Sequence, residues 1–308
     1  MTTDATEWFG RATTSSTDWS AADLVGAKAD RRVSVVVPAR NEAATVGEIV
    51  GRIRAELVDQ HGLVDELIVI DSDSTDDTAR RAADSGAVVH AARDIRPDLG
   101  SHAGKGEALW KSQFVASGDV LAFVDADLTE WGTHFVVGLL GPLLTEPAVR
   151  LVKGFYDRVL DDGTGRHAPQ GGRVTELVAR PMLNLGWPDL SRVVQPLAGE
   201  WAIRRDTFAA LSVPVGYGVE FASLLDVYAE HGLDAIAQVD LGTRAHVHQS
   251  VHDHGVMAAE ILAVAGRRAG LAEPASMLWQ FDRETGDPWR GRTVPLAERP
   301  AMVTVGAT

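Results

Sequence analysis

The chain has 308 residues, 45% of them hydrophobic and 23% charged, a composition typical of one large or two small globular domains. Its 29 basic and 43 acidic residues give a net charge of −14, which argues against nonspecific binding of nucleic acid or of an anionic membrane. The lack of cysteine excludes disulfides and thiolate metal sites.

The two ends of the chain carry few signals of regular structure. The first residues lack the basic start and apolar core of a signal peptide, and no apolar run reaches the roughly 18–20 residues that cross a bilayer. We therefore expect a cytoplasmic protein with no membrane partner. Residues 1–30 are predicted to form a flexible N-terminal arm, and residues 282–308 an extended C-terminal tail.

Residues 31–130 alternate between apolar strands and helical patterns. Strands are predicted at RRVSVVVPA (31–39), DELIVIDSDS (65–74), AVVHAA (87–92) and DVLAFVDAD (119–127). The pattern after the first strand has apolar residues at 46, 49, 50, 53 and 57, the spacing of one buried helix face. This alternation predicts an α/β fold with a Rossmann-like, mostly parallel central sheet flanked by helices.

Residues 131–281 are less regular and are predicted to complete the same domain, since no long linker separates them from the first half. Strands are predicted at RLVKGFYDR (150–158) and IAQVDLGTRAHVHQ (236–249). The segment 173–187 has helical spacing with a kink at Pro181, and the segment 254–271 predicts an amphipathic helix. That helix and the tail would suit a homodimer.

Three polar clusters directly follow predicted strands: Arg40-Asn41-Glu42, Asp71-Ser72-Asp73 and Asp125-Ala126-Asp127. The carboxyl ends of parallel strands share one edge of a sheet, and such folds bind their ligands there. Asp125 and Asp127 have the spacing to bind a hard cation such as Mg²⁺ or Mn²⁺, and the alternative is an ordinary acidic turn. Asp71 or Asp73 stands where such a sheet recognises a ribose or base.

Two basic segments are candidates for anion binding. Lys105 lies between two glycines and is either a phosphate or uracil contact or a solvated lysine at a helix start. Arg173 and Thr175 follow paired glycines at a predicted helix N-terminus, which suits a phosphate or carboxylate; the alternative is a flexible loop. Neither a dinucleotide fingerprint nor a P-loop is present, which weakens NAD and ATP hypotheses.

Four histidines crowd the segment RAHVHQSVHDH: His246, His248, His252 and His254. On an extended strand His246 and His248 share a face with Arg244. The cluster fits a zinc site, a further ligand for an ion bound by the aspartates, or a polar strand end with surface histidines.

Several motifs, in this order and spacing, resemble those of the GT-A-fold glycosyltransferases. VVVPARNE, VIDSDSTDDT, GKGEALWKS and FVDADL are shared widely among such enzymes. QGGRVTEL, RPMLN, QPLAGEWAIRR, PVGYGVEFASLLD and RAHVHQ are more specific and resemble the glucosyl-3-phosphoglycerate synthases. The resemblance covers roughly residues 32–280. It implies a retaining transferase that moves glucose from UDP-glucose to the 2-hydroxyl of 3-phosphoglycerate with Mg²⁺ or Mn²⁺.

The resemblance also implies roles for individual residues. Asp127, Glu220 and Arg244 would be catalytic, and Asp127 and His246 would bind the metal. The donor would be bound by Pro38, Ala39, Arg40, Asn41, Glu42, Ser72, Lys105, Asp125, Ala126, Tyr217 and Glu220, to which the strand-end argument adds Asp71. The small phosphorylated acceptor would be bound by Gly172, Arg173, Thr175 and His248.

Three alternatives remain open. His248 stands where the family commonly has asparagine and Arg40 where an apolar residue is commoner, so one alternative is a paralogue with another donor, such as UDP-GlcNAc, or another phosphorylated acceptor. A second is a sugar-phosphate nucleotidyltransferase, although PARNE does not resemble its glycine-rich loop. A third is a nucleotide-sugar sensor that binds without transfer.

Overall fold

The computed structural model describes residues 5–159, 172–245, 251–281 and 288–306. The strands in these ranges are β1 (Thr13–Ser15), β2 (Val33–Ala39), β3 (Glu66–Asp71), β4 (Val88–Ala91), β5 (Val120–Phe123), β6 (Leu151–Val159), β7 (Trp201–Arg204), β8 (Val213–Pro214), β9 (Ile236–Ala245), β10 (Met277–Phe281), β11 (Trp289–Thr293) and β12 (Glu298–Arg299). The α-helices are α1 (Ala5–Ala12), α2 (Ala21–Lys28), α3 (Val46–Ile53), α4 (Thr78–Asp84), α5 (Lys105–Ser112), α6 (His134–Thr145), α7 (Arg180–Gly186), α8 (Arg205–Ala210), α9 (Val219–His231) and α10 (Val251–Arg268).

An eight-stranded sheet forms the centre of the protein, in the order β1-β9-β6-β7-β5-β2-β3-β4. β2, β3, β4 and β5 are mutually parallel, as the alternating pattern predicts. β7 runs antiparallel to both of its neighbours, β5 and β6, while β6, β9 and β1 continue the parallel direction. The two predicted halves therefore contribute to one continuous sheet.

Hydrophobic cores lie on both faces of this sheet. In β2, Val33, Val35 and Val37 face one core and Val36 faces the other, because successive side chains of a strand point to opposite faces. In α3 the fully buried residues are Val46, Ile49, Val50 and Ile53, which reproduces the predicted helical spacing. The helix continues as a π-helix over Arg54–Gln60.

The prediction of a flexible N-terminal arm is wrong for the described residues from residue 5 onward. Residues 5–28 form α1, β1 and α2, and β1 pairs with β9 as an outer strand of the sheet. Trp8 is fully buried, and its indole N–H donates to the carbonyl of Ile236 at 3.0 Å. The sequence shows too few apolar residues here for a periodic pattern, and the strand that orders the segment lies more than 200 residues further along the chain.

The described C-terminal residues, 288–306, pack against the body of the protein, and the extended tail over 282–308 stays a prediction. β10 and β11 form an antiparallel hairpin, and β12 pairs with β8. Val294 and Arg299 are buried. The predicted boundaries at residues 30, 130 and 281 stay predictions.

The helical segment around Pro181 is continuous over residues 173–186, but it is not α-helical throughout. A π-helical stretch over Thr175–Ala179 leads directly into α7, whose second residue is Pro181. In the described ranges, no helix combines the length and the apolar character that crossing a membrane requires.

Candidate active site

A cavity of about 570 Å³ opens where β2, β3 and β5 end. This volume lies within the range of small-molecule sites. Among the predicted site residues, its lining includes Pro38, Ala39, Arg40, Glu42, Ser72, Lys105, Asp125, Ala126, Asp127, Gly172, Arg173, Thr175, Tyr217, Glu220 and Arg244. The predicted donor and acceptor segments thus face one cavity.

Asn41 and Asp71 are not among the described lining residues. The backbone N–H of Asn41 donates to the hydroxyl of Ser74 at 2.9 Å, and its side-chain oxygen accepts from the N–H of Thr75 at 2.8 Å. Asp71 is buried and accepts from the N–H of Ser74 at 3.3 Å. Asn41 therefore joins the loops after β2 and β3, whereas Asp71 bonds within the loop after β3; direct contact of either with a donor stays a prediction.

The predicted metal ligand His246 and the predicted acceptor contact His248 lie outside the described residues. His254 does line the cavity, from the first turn of α10. No role for His254 follows from the sequence.

Arg244, at the end of β9, connects the carboxylates of the site. Its guanidinium lies 2.9 Å from Asp127, 3.5 Å from Asp125 and 2.9 Å from Glu200. It also donates to the hydroxyl of Tyr156 at 2.7 Å. Burial disfavours the charged guanidinium, but Glu200 and the other anions outweigh it and raise the pKa of Arg244. The arginine is therefore a fixed positive charge beneath the cavity.

Lys105, at the first position of α5, makes the second set of ion pairs. Its ammonium lies 2.5 Å from Asp125 and 2.7 Å from Glu220. Burial opposes the charge of Lys105, but the two carboxylates outweigh it and raise its pKa. Burial likewise opposes ionisation of Asp125, but Lys105 and Arg244 lower its pKa to about 2. At neutral pH Lys105 and Asp125 are ionised, and Lys105 is no longer a candidate for a solvated helix-start lysine.

Glycines allow the chain segments of the site to approach one another closely. Gly104 has φ +140°, and a Cβ there would collide with the carbonyl of Val215. Two residues on, the N–H groups of Gly106 and Glu107 donate to the carbonyls of Gly216 and Val215 at 3.1 and 2.9 Å. The start of α5 is thereby joined to the loop before α9, which brings Lys105 to Glu220.

The acidic edge of the cavity has the electrostatics of a cation site. Burial and the negative charges of Asp127, Asp125 and Asp76 raise the pKa of Glu42 to about 7. The side chain of Asp127 is 42% exposed, and Arg244 contacts its Oδ1 atom. A hard divalent cation prefers oxygen ligands, so the carboxylate of Asp127 fits such an ion. The described residues contain no group of three or more His, Asp or Glu arranged to hold a metal.

The predicted acceptor segment lines the same cavity as this edge. Gly172, Arg173 and Thr175 all line it; Arg173 is exposed and Thr175 is buried. The N–H of Glu176 donates to the carbonyl of Gly172 at 2.9 Å, which begins the helical turn.

Known proteins resemble this chain over most of its length. Residues 34–179 match the glycosyl transferase family 2 domain. A glucosyl-3-phosphoglycerate synthase of Mycolicibacterium smegmatis is 47% identical over 289 residues, which span 93% of this chain and 94% of that protein. The synthase of Petrotoga mobilis is 43% identical over 241 residues, which span 78% of this chain and 74% of that protein.

The chain belongs to the glucosyl-3-phosphoglycerate synthase family.

Crystal structures of the Mycobacterium tuberculosis glucosyl-3-phosphoglycerate synthase have the same fold. One complex, with Mn²⁺, UDP-glucose and phosphoglyceric acid, aligns with a TM-score of 0.84 at 45% identity and covers 92% of this chain and 95% of that one. Another, with Mn²⁺, UDP and glucosyl-3-phosphoglycerate, gives 0.83 at 44% identity with the same coverage. The predicted GT-A fold is therefore confirmed.

Sequence reasoning missed several residues of this family member's site. Glu200 is fully buried beneath Arg244, and Gly199 packs so closely on Asp125 that a Cβ would overlap its carboxylate. Pro295 and Glu260 line the cavity from the C-terminal segment and from α10. The available signal for Glu200 was that it is a charged residue in the otherwise apolar segment LAGEWAI (197–203). Nothing in the sequence pointed to the other three residues.

Proposed function

We propose that this protein is a metal-dependent, retaining glucosyl-3-phosphoglycerate synthase. It transfers glucose from UDP-glucose to the 2-hydroxyl of 3-phosphoglycerate. One observation carries the proposal: the ion-paired carboxylates at the ends of the strands and the Gly172–Thr175 segment line the same cavity of about 570 Å³. The M. tuberculosis relative, which was crystallised with Mn²⁺, UDP-glucose and phosphoglyceric acid, supports it.

The donor lies along the strand-end side of the cavity. Pro38, Ala39 and Ser72 offer backbone and hydroxyl groups at the ends of β2 and β3, where a uridine fits. Tyr217 and Glu220 face the sugar from the loop and helix opposite. Arg244 and Lys105 supply the positive charge that a diphosphate requires.

Mg²⁺ or Mn²⁺ would bind the carboxylate of Asp127, with His246 as the proposed second protein ligand. The ion would neutralise negative charge on the departing diphosphate. Arg244 already lies 2.9 Å from Asp127, so it holds that carboxylate in place and adds fixed positive charge beside it.

The acceptor's phosphate and carboxylate bind at Gly172, Arg173 and Thr175, with His248 as a further proposed contact. A guanidinium and the free N–H groups of a helical turn are the groups that bind such anions. This places the 2-hydroxyl of 3-phosphoglycerate between the acceptor segment and the sugar.

Glu220 orients the sugar and does not attack it. Retention through a covalent intermediate needs a carboxylate beside the anomeric carbon. Glu220 is instead held 2.7 Å from Lys105, which suits a carboxylate that accepts hydrogen bonds from sugar hydroxyls. The acceptor hydroxyl then attacks the face that the diphosphate leaves, and a donor phosphate oxygen accepts its proton.

The decisive experiment incubates the protein with Mg²⁺, UDP-glucose and 3-phosphoglycerate and follows UDP release and product mass. We expect glucosyl-3-phosphoglycerate in amounts equal to the UDP released. Glycerol 3-phosphate, which lacks the carboxylate, should be a poor acceptor. UDP release that is unchanged when 3-phosphoglycerate is omitted would contradict the proposal.

A paralogous activity with another donor is the second candidate, because Arg40 brings a positive charge to the donor side of the cavity. A matrix of nucleotide sugars against phosphorylated acceptors, read by mass spectrometry, separates the two. UDP-GlcNAc consumed faster than UDP-glucose would favour the second candidate. The homodimer and the cytoplasmic location stay predictions.

A further inference from the structure

Glu260 is a buried acid of the cavity that the proposed reaction does not use. It lies on α10, is 3% exposed, and lines the cavity. Its Oε2 atom accepts a hydrogen bond from the backbone N–H of Tyr217 at 2.6 Å. A carboxylate at this distance from an N–H makes a strong, charge-assisted hydrogen bond.

The loop that Glu260 contacts is pressed against α10. A Cβ on Gly216 would overlap the carboxylate of Glu260, and a Cβ on Gly218 would lie 2.6 Å from Val264. The same loop presents Tyr217 to the cavity and leads directly into α9, whose second residue is Glu220. A displacement of this loop would therefore move both proposed sugar contacts.

We propose that Glu260 is a positioning residue for the sugar site, which holds the backbone of Tyr217 and thereby places Tyr217 and Glu220 against the transferred sugar. This inference rests on the proposed function. Glu260 acts through the loop and takes no part in bond making.

The charge of Glu260 provides a readout that separates positioning from simple packing. Burial, together with the negative charge of Glu220, raises the pKa of Glu260 to about 7, although the N–H of Tyr217 opposes the shift. On α10 itself the nearby cation, Arg267, is already paired with Glu273 and Glu298. Glu260 is therefore protonated at pH 6 and ionised at pH 8.5, and its hydrogen bond to Tyr217 is strongest in the ionised form.

The test compares Glu260→Gln and Glu260→Ala with the wild type, with Glu230→Gln as the matched control on the exposed face of α9. Glutamine keeps a neutral acceptor, so its kcat/KM for UDP-glucose should equal that of the wild type at pH 6 and fall about 5-fold below it at pH 8.5. Alanine should lose about 10–30-fold at both pH values, with the KM for 3-phosphoglycerate within 2-fold of the wild-type value. Glu230→Gln should match the wild type throughout.

A second measurement does not depend on turnover. In ¹⁵N-labelled wild-type protein, the amide proton of Tyr217 should shift downfield as the pH rises through about 7, and Glu260→Gln should abolish this titration. Wild-type kinetics in Glu260→Ala, or a Tyr217 amide that does not titrate, would overturn the role of Glu260. A wild-type protein that titrates in this way but transfers no glucose would contradict the proposed function and leave the hydrogen bond established.

Discussion

The two sides of the cavity are built differently. The strand-end side comes from the loops after β2, β3 and β5, each of which directly follows an apolar run in the sequence. The other part of the lining combines the loop at 216–217, α10 and Pro295, which are far apart in sequence and lack a common pattern. The first side can be predicted from local rules, whereas the second depends on which segments happen to pack together.

The largest expected effect lies on the strand-end side. Asp127→Asn removes the negative charge that is proposed to hold the metal, and kcat should fall by about 10²–10³-fold. Asp73→Asn is the matched control, because Asp73 also follows a strand of the parallel sheet, β3, but pairs with Arg93 at 2.6 Å. Both rates are measured across a Mn²⁺ titration. Equal activity of the two variants would contradict the role of Asp127.

Lys105 pairs with Asp125, which follows β5, and with Glu220 of α9, so its substitution tests the connection between these two segments. Lys105→Met leaves the buried Glu220 without its cation, and breaking a buried pair in this way costs about 3 kcal/mol of unfolding free energy. We expect kcat/KM to fall about 100-fold and the melting temperature to drop. The double variant Lys105→Met/Glu220→Gln should be more stable than Lys105→Met alone, since no unpaired carboxylate remains. Additive losses of stability would show that the pair is not coupled.

Arg299 tests the packing of the C-terminal segment, which the sequence did not reveal. Its guanidinium lies 2.6 Å from the buried Glu107 of α5 and stacks over Trp110 at 4.8 Å. Arg299→Ala should lower the free energy of unfolding by about 3 kcal/mol and reduce activity through α5. Arg80→Ala, which breaks a pair that is 61% and 57% exposed, should leave stability nearly unchanged. Urea unfolding of both variants makes the comparison.

The smallest effect concerns the N-terminal segment. Trp8→Phe keeps most of the buried ring but removes the hydrogen bond to Ile236, which is worth about 1 kcal/mol. Trp279→Phe, at a position that is 62% exposed, should be nearly neutral. If the two variants melted at the same temperature, the hydrogen bond from Trp8 to Ile236 would contribute nothing to stability.

Much of the site could be predicted because each strand-end cluster depends on neighbouring residues. Asp125 and Asp127 follow β5 directly, so a strand prediction already places them at the ligand edge. The sequence could not assign their partners: Lys105 and Arg244 lie 20 and 119 residues from Asp125 and were proposed as ligand contacts rather than as the cations that lower its pKa. Ion pairs of this kind depend on distances that no local pattern contains.

The sequence by itself determined the alternating order of strands and helices, the parallel direction of β2 to β5, and which polar residues follow the strands. These features could be predicted because the spacing of hydrophobic residues and the residues that follow a strand are local properties of the chain. Only the tertiary structure decided that β7 runs antiparallel, that residues 5–28 join the fold, and that Glu260 and Pro295 line the cavity. Those features depend on which apolar surfaces are buried against one another. The segments that pack together lie up to 228 residues apart in the sequence.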